Sequence, residues 1–170
     1  MTGRHVAFLR NLNLGQRGRP TRAELLRAFD EAGAHDVESF QVNGTVIFTS
    51  SSPARTRDRA CSRLIRDTDW RDVAPVRSRA WLIELAGVLE GIVGNAEVSL
   101  FDVRREFPQA LPWRPDTGRL TVVAADKRHA IAVNDEPRRS FATPTLERLL
   151  GVPVTSRGSG TVLRLVQRLG

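Results

Sequence analysis

Residues 155–161, TSRGSGT, set one guanidinium among small hydroxyl residues and glycines just before the last apolar stretch of the chain. A loop of this kind leading into a helix can hold an anion, because free N–H groups and the helix dipole favour negative charge. Arg157 can add a two-pronged grip on a carboxylate or phosphate. The same residues can instead serve the protein, with Ser159 or Gly160 as the N-cap and Arg157 paired to an internal acid or carbonyl. A second concentration lies in LRNLNLGQRGRP, residues 9–20. Arg10 stands there at the end of a strand, beside Asn11 and Asn13, which can meet a ligand or hold turns by bonding their own backbone. Arg17 and Arg19 read as solvated.

The usual nucleophiles and bases are sparse. Cys61 sits on the apolar face of its helix and reads as a buried, inert thiol. His5, His35 and His129 fall on separate segments with no metal-ligand spacing; His35 and His129 read as exposed. Glu84 and Glu90 read as a solvated helix face. No triad, carboxylate pair or metal site emerges. The glycine spacings match neither a Walker loop nor a dinucleotide fingerprint, so no cofactor is expected. Trp113, in LPWRP, is either a partly exposed anchor or a cover for the core edge. With no tyrosine and only Phe48 on the central hairpin, an RNA-binding sheet would lack its stacking platform.

The elements that must position these residues follow from periodicity. RHVAFLR reads as a buried strand. TRAE at 21–24 offers a capping box for a helix whose Leu25, Ala28, Phe29 and Ala32 share one face, with Gly33 past its end. Two β-prone runs flank Asn43-Gly44, a pair suited to a tight hairpin because both residues tolerate positive φ. Ser52-Pro53 caps and opens a second helix, and residues 72–78 return as an edge strand that tolerates Pro75. The order βαββαβ closes as a ferredoxin-like sheet with both helices on one face. A fainter repeat follows. A helix over Arg79–Glu90 precedes a boundary at residues 91–95, a strand over Val98–Val103 and a short helix over Arg104–Leu111. A hairpin then turns over Asp126–Arg128, a helix opens at Thr143-Pro144 and stops at Gly151, a strand covers Val152–Thr155, and a last helix runs Thr161–Leu169. The expected fold is α+β: two tandem ferredoxin-like βαββαβ subdomains with a C-terminal helix, residues 1–90 and 91–170.

Composition is that of a globular chain of 170 residues, with 41% hydrophobic and 26% charged residues. No apolar run reaches the ~18 residues that cross a bilayer, and the first residues lack the apolar region of a secretory signal. The single cysteine excludes an internal disulfide. A cytoplasmic location is the expectation. The net charge of +7 is almost wholly arginine, Lys127 being the only lysine, a usage that fits codon bias in a GC-rich genome. The excess leans to the first half and favours anionic partners, yet acids are interspersed throughout.

Three stretches together, FLRNLNLG (8–15), DVESFQVNGTVIF (36–48) and VTSRGSGTVLRL (154–165), resemble motifs of a bacterial family catalogued as domain of unknown function 1697. The resemblance implies paired ferredoxin-like subdomains and no established activity. Arg10, Asn13 and Gly15 match its first motif, Gly44 its second, and Thr155, Arg157 and Thr161 its third. Asn11 stands where the family carries glycine, Thr45 where it carries asparagine, and Gly158-Ser159-Gly160 where it carries Asn-Trp-Asn.

The functional expectation is a bacterial cytosolic protein that binds a polar or anionic small molecule in a cleft between the halves. The ligand residues would be Arg10, Asn13, Asn43, Arg157 and Thr161. The alternatives are a small enzyme of specialised metabolism working mainly by substrate positioning, and a weak nucleic-acid binder using the basic first half, whose binding would weaken with salt. Monomer and homodimer are both compatible with the pattern.

Overall fold

The computed structural model describes residues 2–170. The chain divides into two compact units, one ending at Trp81 and the other running Leu82–Arg168.

The first unit contains β1 (Gly3–Phe8), α1 (Arg22–Glu31), β2 (His35–Phe40), β3 (Thr45–Ser50), α2 (Pro53–Asp67) and β4 (Val76–Ser78). Its antiparallel sheet has the order β2-β3-β1-β4, so the two central strands are neighbours and both crossovers are helical. The capping box forms as expected: Glu24 N–H donates to Thr21 Oγ1 at 3.2 Å, and Thr21 N–H donates to Glu24 Oε2 at 2.7 Å. Strand periodicity puts Ala7, Val46 and Phe48 on the face that meets Leu25, Phe29, Ala60 and Leu64 of the helices. Phe29 and Phe48 pack at 5.2 Å between ring centroids, each worth ~1.5–3 kcal/mol of burial. Cys61 lies in this core.

The hairpin differs in detail from the expected tight turn. Residues 41–44 form the connection, with Gln41 at φ 61° and Gly44 at φ 69°, while Asn43 does not take a positive φ. At α2, Pro53 occupies the first turn, but the Ser52 side chain makes no capping bond. Ser52 N–H instead donates to Ser50 Oγ, which fixes the approach to the helix.

The second unit holds most of α3 (Arg79–Glu90), then β5 (Asn95–Leu100), β6 (Leu120–Ala125), β7 (His129–Asn134), α4 (Ala142–Leu150), β8 (Thr155–Gly158) and α5 (Ser159–Leu169). Its sheet order, β6-β7-β5-β8, repeats that of the first unit strand for strand. The fold is therefore α+β, with two four-stranded antiparallel sheets in ferredoxin-like order and a C-terminal helix, as the pattern predicts.

The structure departs from the expected pattern at four points. The helix over Arg104–Leu111 does not form; residues 101–119 run as loop and turns between β5 and β6. Pro108 stands in the middle of that stretch, where it removes an N–H and clashes with the preceding turn. TSRGSGT is not a loop: Thr155–Gly158 is the edge strand β8, and α5 begins directly at Ser159. The N-cap of α5 is Gly158, without a side-chain capping bond, so neither Ser159 nor Gly160 has that role. α4 also opens earlier, with Phe141 at its N-cap and Pro144 in its first turn.

A loop thus replaces the helix that would stand opposite α4. The second core gathers Phe101, Leu120, Val122, Ala130, Ala132, Leu146 and Val154, and Phe107 and Trp113 from the loop pack against it in place of a helix face.

Candidate ligand-binding groove

Arg10, Asn13 and Asn43 belong to the first unit, Arg157 and Thr161 to the second. In the first unit, the strand-end loop and the hairpin turn are docked on each other. Leu9 N–H donates to Gly44 O at 2.8 Å and Leu14 N–H to Val42 O at 2.9 Å. Gly44 permits this approach, since a Cβ there would lie 2.8 Å from Leu12 Cβ. Arg10 is engaged: its Nη1 donates to Asp72 Oδ2 at 2.7 Å, and Asn11 Nδ2 donates to the same oxygen at 2.9 Å. Trp70 Nε1 donates to Arg10 O at 2.8 Å, so the loop is tied to residues 70–73 from both sides of the peptide. Asn11 has φ 52°, a conformation that glycine and asparagine tolerate best. Asn13 is exposed, and Asn43 Oδ1 accepts from Thr45 Oγ1 at 2.9 Å.

Arg157 is buried. Its guanidinium donates to Thr155 Oγ1 at 2.8 Å and to Ser156 O at 2.9 Å. Burial lowers its pKa to about 10. Thr161 is half-buried, in the first turn of α5. His35 is exposed as expected, but His129 is not: its side chain is 15% exposed, with Nδ1 2.8 Å from Asp126 Oδ1. Burial opposes ionisation of Asp126, yet the N–H groups of Arg128 and His129 and the nearby imidazole hold its carboxyl below the usual range.

Arginines also line the outer side of α2, where Arg55, Asp58, Arg59, Ser62, Arg63 and Arg66 wall a shallow depression. Acids answer several of them: Arg63 pairs with Glu31, and Arg66 with Asp67.

The second unit carries a groove of a different kind. Two adjoining cavities of about 320 and 350 Å³ share Thr117, Thr145 and Arg148 in their walls. Trp113 and Leu149 line one, Arg119 and Phe141 the other. The groove follows from the missing helix, since α4 alone flanks it on one side and the 113–119 loop on the other. Helical spacing puts Phe141, Thr145, Arg148 and Leu149 along one flank of α4, while Ala142, Leu146 and Leu150 face the core.

The loop wall is built firmly. Trp113 forms an antiparallel bridge with Val122, its N–H donating to Val122 O at 2.9 Å, and its ring meets Phe107 edge-on at 6.0 Å. Arg114 reaches both Asp135 oxygens, at 3.0 and 2.5 Å, and donates to the Gly118 carbonyl. Gly118, at φ 66°, closes the turn with its N–H on Pro115 O at 2.8 Å. The Arg114 pair holds the Asp135 carboxyl below its usual range.

Inside this frame, Arg119 lies over the Phe141 ring, 5.1 Å from its centroid, and among the described residues no acid pairs with Arg119 or Arg148. Asp116 is the acid in the wall, against two guanidinium groups. Sequence reading singled out Trp113 but neither arginine. The groove is made by residues 113–119 meeting residues 141–149, which are far apart in the chain, and no local spacing announces such a meeting.

Among solved structures, the conserved bacterial protein SP0830 from Streptococcus pneumoniae is similar over 100% of both chains, at 15% identity and a TM-score of 0.68. That likeness concerns the fold. No curated protein matches the chain. The family model described as "Protein of unknown function (DUF1697)" matches residues 1–86, which hold the whole first unit with the docked loop and hairpin. On that match, the chain belongs to the DUF1697 family.

Proposed function

We propose that this protein binds a small anionic molecule in the groove of its second unit. The observation that carries the reading is the pair Arg119 and Arg148, two cations with no acid partner among the described residues, in the walls of one concave, partly aromatic site. Cavities of a few hundred Å³, mainly apolar with a few convergent polar groups, are the common form of small-molecule sites. A guanidinium with no partner gains most from an arriving carboxylate or phosphate. Arg10 would first have to release Asp72. Thr117 and Thr145 supply hydroxyls that can donate to the same anion.

Thermal denaturation with acetate, benzoate and inorganic phosphate tests this reading. At least one anion raises the melting temperature of the wild-type protein, and the double variant R119Q/R148Q loses that response while melting normally by itself. A response that survives in the double variant, or no response to any of the three at tens of millimolar, contradicts the reading.

The first-unit loop cluster supports a second reading, in which Arg10, Asn13 and Asn43 bind a polar ligand. It is favoured by the half-buried Arg10–Asp72 pair and the left-handed Asn11, a local strain of the kind that accompanies binding sites. Variants R10Q and N13A, in the same assay, test it.

A further inference from the structure

We infer that the anion taken by the groove is carried on a flat aromatic ring, so that the ligand class is an aromatic carboxylate or a phosphate ester of an aromatic alcohol. This rests on the reading that the groove binds an anion at Arg119 and Arg148.

The inference comes from what surrounds the two cations. Each cavity contributes one aromatic ring, Trp113 in the first and Phe141 in the second, and Arg148 stands in the wall common to both. Leu149, Pro115 and Pro144 complete the apolar lining. Trp113 is rigid, because its backbone is bridged to Val122 and its ring rests edge-on against Phe107. A rigid ring already paired on one side offers stacking to a ligand with little loss of freedom. Phe141 shows the chemistry at the other end: a flat guanidinium covers its face. The outer face of that guanidinium is itself a stacking surface for an arene, since arginine is planar and weakly hydrated. Charge and flatness therefore belong to one site: a carboxylate meets Arg148 and Arg119, and its ring lies along Trp113. A saturated ligand of equal size gains the charge contacts and the burial but not the stacking.

The probes are 2-naphthoate, decahydro-2-naphthoate and 2-naphthamide. The first two share carbon skeleton and charge and differ in aromaticity and the flatness that goes with it; the third keeps the ring and loses the charge. Binding is read by calorimetry and by tryptophan fluorescence. Trp70 is buried in the first unit's core, Trp81 on α3 lies under Arg77, and Trp113 is the tryptophan of the groove. The expected result is that 2-naphthoate binds about fivefold or more tighter than its decahydro analogue and quenches fluorescence. The variant W113L, checked by its melting temperature, removes that advantage, so that the two acids bind it within about twofold of each other. W113F, which keeps a ring against Phe107, retains most of it. Equal affinity for the two acids overturns the aromatic inference and leaves the anion reading standing. Equal affinity for 2-naphthoate and 2-naphthamide overturns the anion reading, and with it the inference. Binding of neither acid overturns both.

Discussion

Arg77 and Arg157 hold the same position in their two sheets. Arg77 on β4 faces Val6 of β1, and Arg157 on β8 faces Val98 of β5. Each is more than nine-tenths buried, and each donates to the carbonyl of the residue before it, Val76 O at 2.8 Å and Ser156 O at 2.9 Å. In each, a helix begins two residues later. Two stretches with little sequence in common, VRSRAW and SRGSGT, are thus the same structural unit. In each, the buried guanidinium bonds the edge strand's own backbone just before the strand–helix corner.

Removing either guanidinium should therefore cost stability in its own unit. R157A is expected to lose about 2–4 kcal/mol in urea unfolding, because it deletes charged hydrogen bonds and leaves a cavity. R157M, which fills the space but makes none of these hydrogen bonds, should lose less than R157A, about 1–2 kcal/mol. The sign agrees with the pKa of about 10, which lies below the ordinary guanidinium range: from about 10 up to that range the unfolded chain holds more protons, so this group's contribution to stability rises with pH there. A loss below about 1 kcal/mol in both R157A and R157M would contradict the assignment.

Gly44 and Asn11 are both held in left-handed conformations, for different reasons. G44A should cost about 2 kcal/mol or more, because φ 69° penalises any Cβ and this one would strike Leu12. N11G should cost less than about 1 kcal/mol, only the exposed bond to Asp72 being lost. N11V, β-branched at φ 52°, should cost clearly more. Thermal melts of the three variants rank them; a harmless N11V would remove the strain argument.

These two positions also mark how far the sequence could be read. The family motifs at residues 8–15 and 36–48 look like ligand loops. Physically, much of their pattern is accounted for by backbone: Asn11 in place of glycine keeps a positive φ, and Gly44 lets Leu9 and Leu12 approach. Local signals with a local cause were legible, as at the Thr21–Glu24 capping box and the Gly33 that ends α1 with φ 89°. The expected helix over residues 104–111 fails at Pro108, which the run RREFPQAL carries in its interior. TSRGSGT misled because glycine and serine suggest loops, whereas β5 recruits the segment as an edge strand through pairing that no local pattern encodes. The groove was illegible for the same reason: Arg119 and Arg148 look like any other arginine in a chain that has many.

His5 supplies a pH prediction. It pairs across the sheet with Phe48, its ring 5.9 Å from the phenyl centroid, and burial lowers its pKa below the ordinary 6.5, a hydrogen bond with the Ser50 backbone opposing the shift in part. The unfolded chain then binds the proton more readily, so stability increases as pH rises toward 6.5 and is lost on acidification. Urea midpoints across pH 5–8 should show that slope in the wild type and a shallower one in H5Q. An unchanged slope in H5Q would assign it elsewhere.

The central claim is that small anions bind between α4 and the 113–119 loop. Backbone amide spectra of the ¹⁵N-labelled protein, titrated with 2-naphthoate, test it most directly. The account predicts saturable shifts concentrated at residues 113–119 and 141–149, absent in R119Q/R148Q. Shifts concentrated instead at residues 10–13 and 41–44, or none at millimolar ligand, would contradict it.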